Sequence, residues 1–160
     1  MKNNLLLEDA KLVFTNFEGR EKPPYNRAGD RNICIDLTDM DPEFIDQLKE
    51  AGWNIYESDN PEATVKVSLT VKIKFNHQKP QFNPKIYMVS EAGENAYVPI
   101  LLTEDSVGNL DYMQITGGDV IIRPYEYDVA GRRGVSAYLE VAYVRVCPDI
   151  FAAKYESPAE

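Results

Sequence analysis

The chain has 160 residues, with 17 Lys plus Arg against 26 Asp plus Glu and a net charge of -9 at pH 7. That length suits one domain able to bury its own core, and a hydrophobic share of 44% excludes a disordered chain. The acidity excludes a uniformly basic polyanion binder but leaves room for a local basic groove, because binding follows the local field rather than the net sum.

Residues 1–10 read as a lead-in, 11–147 as the domain and 148–160 as a tail. Lys2 with three leucines before Glu8 makes no leader, and no apolar run reaches membrane-spanning length, so the expectation is an intracellular protein without a membrane partner. Lys11–Phe17 is β-branched and aromatic and reads as a strand. Glu18–Asp30 breaks every pattern with Gly19, Pro23, Pro24, Asn26 and Gly29. It is a long loop that carries Arg20, Lys22, Tyr25 and Arg27 and runs into Arg31. Arg31–Leu37 alternates, with Ile33, Ile35 and Leu37 on one face.

Asp41 is placed to cap a helix with Pro42 at its first position and Glu43 in its first turn. Phe44, Ile45 and Leu48 form the apolar stripe, and Gly52 closes the helix, which spans about Pro42–Ala51. Trp53–Glu57 is a short strand. Val65–Phe75 alternates throughout: Val65, Val67, Leu69, Val71, Ile73 and Phe75 face one way, and Lys66, Ser68, Thr70, Lys72 and Lys74 the other. The wet face holds lysines and hydroxyls and no acid, a track suited to a polyanion.

Asn76–Pro84 is irregular, Lys85–Val89 a short strand and Ser90–Asn95 a turn. Thr103 caps a single helical turn reaching Leu110. Asp119–Tyr127 is a strand whose Pro124 implies an edge or a bulge. Ala130–Gly134 is a hairpin tip bearing Arg132 and Arg133, and Val135–Val146 is the last long strand. About seven short strands with one good helix fit a small, strongly curved antiparallel barrel better than a parallel βαβ fold. An exposed edge strand would let two copies pair as a homodimer.

The chemistry of catalysis and of metals is missing. Cys34 and Cys147 sit in apolar runs as buried thiols, with no Cys-x-x-Cys pair for zinc. His77 is a surface histidine. Asp36, Asp39 and Asp41 could be imagined as a metal-dependent nuclease site, but they lie at a strand end and a helix cap and read as capping residues. No cofactor and no enzyme activity are expected. What is present is the lysine face, the rings of Tyr125 and Tyr127 on the same face as Arg123, and two basic flanking elements. Rings beside cations on a curved sheet suit stacking of unpaired bases, whereas Trp53 and Phe75 read as core.

The order Phe14-Thr-Asn-Phe17, Tyr25-Asn-Arg-Ala-Gly-Asp-Arg-Asn32, Ala51-Gly-Trp-Asn54, the alternating strand, Asp119-Val-Ile-Ile-Arg-Pro-Tyr-Glu-Tyr127, Gly131-Arg-Arg-Gly134 and Val135-Ser-Ala-Tyr-Leu-Glu140 resembles small single-stranded DNA-binding proteins of phages and mobile elements. The resemblance spans about residues 11–147. It implies a mainly β, OB-like barrel, a role in phage DNA replication or recombination with the proteins of those processes as partners, a place in the host cytoplasm, and no catalysis. It draws attention to Tyr25, Asn26, Arg27, Asp30, Arg31, Arg123, Tyr125 and Tyr138. With the charge and ring patterns, the expected DNA-binding residues are Tyr25, Arg27, Arg31, Lys66, Lys72, Lys74, Arg123, Tyr125, Tyr127, Arg132, Arg133 and Tyr138. The net acidity keeps two other readings open, a phage inhibitor or DNA mimic that binds no nucleic acid, and a structural particle component. The acidic tail of many such binders is reduced here to Glu156 and Glu160.

Overall fold

Alternating apolar residues build the strands and place their inner faces on one core, in a computed structural model that describes residues 3–147 apart from 22, 24, 25 and 95. Among these residues the strands are β1 (Leu5–Asn16), β2 (Arg31–Asp36), β3 (Ile55–Glu57), β4 (Val67–Ile73), β5 (Lys85–Ser90), β6 (Ile100–Leu101), β7 (Gln114–Val129) and β8 (Arg132–Cys147), with helix α1 (Pro42–Glu50) between β2 and β3. Short 3-10 segments occupy Pro80–Phe82 and Val107–Tyr112. The second of these replaces the helical turn expected before Leu110.

β1 pairs antiparallel with β2 on one edge and β7 on the other, and β2 pairs with β4. β7 and β8 form a long hairpin. β8 then returns beside β4 in parallel register, Val71 opposite Ala137 and Lys72 opposite Tyr138. The ring β1-β2-β4-β8-β7 is thereby closed into a five-stranded mixed barrel, and closure removes the free edges of those strands where they pair. β3 extends the ladder beside β4, while β5 and β6 extend it beyond β8. Ile33, Ile35, Leu69, Val71, Ile122 and Val144 are fully buried inside. Each such side chain contributes about 1.5–3 kcal/mol relative to exposure.

The helix forms as its sequence requires. Asp41 Oδ1 accepts the Glu43 N–H at 2.9 Å, Pro42 opens the first turn, and Gly52 follows the last turn at φ 96. Ile45, Leu48 and then Trp53 enter the barrel core. Trp53 also forms a parallel bridge with Val135, tying the helix unit to β8.

Three boundaries depart from expectation. β1 starts at Leu5, so residues 5–10 are strand rather than lead-in. Their alternation is hidden because register shifts interrupt β1 between Leu7 and Ala10 and again between Val13 and Asn16. Asp9 and Phe14 take left-handed φ values of 52 and 49 at these bulges, a conformation costing a non-glycine residue about 1–3 kcal/mol. At Asp9 the surroundings hold it: its N–H donates to Asp119 Oδ1 at 2.9 Å and its carboxylate receives Arg145 Nη2 at 2.8 Å.

The β7–β8 turn is only Ala130-Gly131, at φ 52 and 80, so Arg132 and Arg133 are strand residues rather than loop residues. Pro124 lies past Ile122, where β7 has outrun its pairing with β1, so its missing N–H breaks no ladder there. β4 is shorter than the Val65–Phe75 run, and Ser68 on its wet face is buried. One edge of β4 is divided, with Val67–Leu69 paired to β3 and Val71–Lys72 to β8.

Candidate nucleic-acid interface

The parallel seam between β4 and β8 aligns four outward residues from four strands. Asn32 on β2 pairs with Lys72 on β4, Lys72 with Tyr138 on β8, and Tyr138 with Arg123 on β7. Direct cross-strand partners share a face, and the side chains meet. Lys72 Nζ lies 5.7 Å and Arg123 Cζ 5.5 Å from the Tyr138 ring centre. The Tyr125 ring packs edge-on against Tyr138 with centroids 5.9 Å apart. One half-buried phenol therefore sits between two cations beside an exposed second ring, the combination of stacking surface and positive charge that an unpaired nucleotide strand needs.

This row opens onto a cleft of about 630 Å³. Its lining includes Arg31, Lys72, Lys74, Phe75, Thr70 and Tyr138, together with Asp30, His77 and Glu104. Three fixed cations thus face two carboxylates, and Glu104 Oε1 lies 2.7 Å from His77 Nε2. The cleft keeps a positive balance in a molecule of net charge -9.

The loop after β1 forms one wall, and its shape comes from asparagines. Asn26 Nδ2 donates to the carbonyls of Arg20, Arg27 and Asp30, while Asn26 Oδ1 accepts from Asn32 Nδ2 at 2.8 Å. Asn16 Oδ1 accepts the N–H groups of Gly19 and Arg20. Arg31 ties this wall to the next one. Its Nη1 donates to Phe17 O at 3.1 Å and to Glu104 O at 3.0 Å, and its guanidinium lies 5.2 Å from the Phe75 ring centre. Both N–H groups of Arg31 Nη1 are thereby committed to positioning the cleft.

The twelve expected contact residues separate into groups. Arg31, Lys72, Lys74, Arg123, Tyr125 and Tyr138 come together in or beside the cleft. Arg27 is exposed on the adjoining loop, and Tyr25 lies outside the described residues. Lys66 precedes β4, about 20 Å along the chain from Lys72 at strand rise. Tyr127 turns to Asn54, whose Nδ2 donates to its hydroxyl at 3.1 Å, and its Oη approaches Gly134 so closely that a Cβ there would sit 2.5 Å away. Arg133 Nε pairs with Asp128 Oδ2 at 3.1 Å within the hairpin, beside Arg132 near the tip.

Asn32, His77 and Glu104 line the cleft without having been expected there, Thr70 lines it as its place on the wet face of the strand implied, and Phe75, expected in the core, is half-buried against that core at the cleft's edge. The outward positions of β2 were readable from its alternation. The approach of His77 to Glu104 depends on two loops distant in sequence and carries no local signal.

Two of the three aspartates bind backbone N–H groups, as the capping reading expects, and the third forms an ion pair instead. Asp36 Oδ1 accepts the Thr38 N–H, Asp41 caps α1, and Asp39 pairs with Lys11 at 2.7 Å. The hydrogen bond to Lys11, with its charge, holds the Asp39 carboxyl below its ordinary value and raises that of Lys11. Among the described residues no group of three or more His, Cys, Asp or Glu could hold a metal, no disulfide joins Cys34 to Cys147, and no helix is long and apolar enough to cross a membrane. Both cysteines are half-buried rather than fully buried.

A five-stranded barrel with a basic cleft along its second and third strands, rings from its last two strands beside it and the loop after the first strand as one wall, has the architecture of the OB type of oligonucleotide binder. The family model described as "Putative phage ssDNA-binding domain" matches residues 1–159, and the chain belongs to this family of phage single-stranded DNA-binding proteins. It is a family of binding proteins, not of enzymes. Membership argues against the DNA-mimic and particle-component readings of the net acidity.

Two solved structures share the fold. The single-stranded DNA-binding protein from bacteriophage Enc34 in complex with ssDNA is 12% identical with a TM-score of 0.54, covering 91% of this chain and 88% of that one. The same Enc34 protein in a second structure is 13% identical with a TM-score of 0.53, covering 98% and 87%. No curated protein matches the sequence.

Proposed function

We propose that this phage protein holds single-stranded DNA across the β4–β8 seam with little sequence preference, during phage DNA replication or recombination in the host cytoplasm. The proteins of those processes are the partners this role implies. The observation that carries the reading is the Asn32–Lys72–Tyr138–Arg123 row, with Tyr125 against Tyr138 and the cleft beside it. Lys72, Lys74 and Arg123 neutralise phosphates, and Tyr138 and Tyr125 offer ring faces to bases. Ring faces accept every base, so the preference is for unpaired strands rather than for a sequence. The Enc34 protein, which shares the fold, was solved with ssDNA, which supports the same ligand here.

The test is an anisotropy titration of labelled oligo-dT, a mixed-sequence single strand and a duplex. Both single strands are expected to bind alike and the duplex far more weakly. Tyr138→Ala and the pair Lys72→Ala with Lys74→Ala are each expected to weaken binding. If that lysine pair leaves both affinity and salt dependence unchanged, the cleft is not the DNA site.

A further inference from the structure

Alternation along β1 sends Leu12 and Phe14 to the same side, and Leu12 is core. Phe14 is instead 67% exposed. The bulge is the cause. Val13 pairs with Cys34 and Asn16 with Asn32, so β1 takes three steps where β2 takes two, and Phe14 adopts φ 49 within the extra length. Tyr97 is the other bulky residue at positive φ among the described residues, but it lies in a turn, whereas Phe14 interrupts a paired barrel strand. A large ring held in the left-handed region of a strand and turned to solvent is a rare arrangement, of the kind found where a bulge re-aims a side chain.

The bulge adjoins a strand that lines the cleft: Asn16, at its far end, pairs with Asn32, a cleft residue. Val13 faces its partner Cys34, the Cys34 Sγ lies 3.5 Å from Thr70 Oγ1, and Thr70 lines the cleft. β1 lies one interstrand spacing, about 5 Å, from β2, whose Arg31 and Asn32 line the cleft that Tyr138 also lines. We propose that Phe14 is a base-stacking residue at the β1 end of the DNA path, a further platform in addition to Tyr138 and Tyr125. The assignment rests on the cleft being the single-stranded DNA site and extends that site by one strand.

The test uses the full chain and labelled oligo-dT. Phe14→Asn removes the ring but keeps a residue that tolerates the left-handed backbone. It is expected to bind about 5- to 150-fold more weakly, the equivalent of one stacked base, with an unchanged salt slope because no phosphate contact is lost. Phe14→Trp is expected to bind like the parent, and its indole emission to be quenched by DNA, readable beside the buried Trp53. Parent-like affinity in Phe14→Asn, while Lys72→Ala with Lys74→Ala is weakened, overturns the role of Phe14 and leaves the cleft standing. If neither variant is weakened, the cleft reading itself has failed. Parent-like affinity with altered sedimentation makes Phe14 a protein contact and overturns the proposal. Should Phe14→Asn not fold, unquenched emission in Phe14→Trp overturns it.

Discussion

Lys72 and Arg123 flank one phenol, and their charges are the ones nearest the ring on which the proposed DNA path is centred. Replacing both by Ala removes two phosphate contacts. Each contact to a single strand contributes about 0.7 to the slope of log affinity against log salt, so the slope should flatten by about 1.4. Lowering salt from about 0.2 M to about 0.05 M should then strengthen the parent roughly sevenfold more than the variant. Lys66→Ala is the control. It removes one charge from the same face of the same strand run, but about 20 Å from Lys72, more than two screening lengths at physiological salt. The assay is anisotropy of labelled oligo-dT at four or more salt concentrations. A Lys66→Ala slope as flat, per charge removed, as that of the double variant would refute the reasoning, because net charge rather than the cleft would then set the affinity.

Asp41→Ala should lower stability by about 1 kcal/mol through loss of the helix cap and leave oligo-dT binding unchanged, read by urea unfolding and anisotropy together. Gly118→Ala would place a Cβ 2.8 Å from the Tyr143 carbonyl oxygen on the neighbouring strand. The backbone must shift, and the urea midpoint should fall by the equivalent of about 1–3 kcal/mol. The Tyr112 hydroxyl donates to Glu18 Oε2 at 2.6 Å, and that hydrogen bond raises its pKa above the usual value. A folded-state value above the unfolded one stabilises fully below about pH 10 and is lost as pH rises through the folded value. The difference in urea midpoint between the parent and Tyr112→Phe should therefore be constant from neutral to mildly alkaline pH and shrink above that range. A difference that grows there would contradict the assignment.

Elements whose signals are local were legible. The Asp41-Pro42 start and Gly52 end mark α1, the alternation marks β2, and the Ala130-Gly131 turn lies within the expected hairpin tip. The barrel floor was legible too, because Lys72, Arg123, Tyr125 and Tyr138 sit on strands whose outward parity can be counted. Legibility failed wherever parity was broken or contacts were distant. The two bulges in β1 hid the Leu5 start and the eversion of Phe14. Ser68 looked wet because alternation does not reveal that β3 lies alongside it. The charge of Arg133 was counted as available, but the cross-strand register sets it against Asp128. The bonds from Arg31 Nη1 to two carbonyls from segments far apart in the chain had no local signal either.

Residues 32, 72, 123 and 138 become neighbours only when β8 docks against β4. No excised peptide and neither half of the chain can reproduce that arrangement. With the DNA site proposed at this row, affinity for an oligonucleotide becomes a gauge of barrel integrity: a protein nicked or loosened at the seam would lose its ligand before it loses most of its strands. The converse also holds, since a ligand that grips all four strands at once acts as an external hoop and raises the melting temperature in proportion to the logarithm of its concentration.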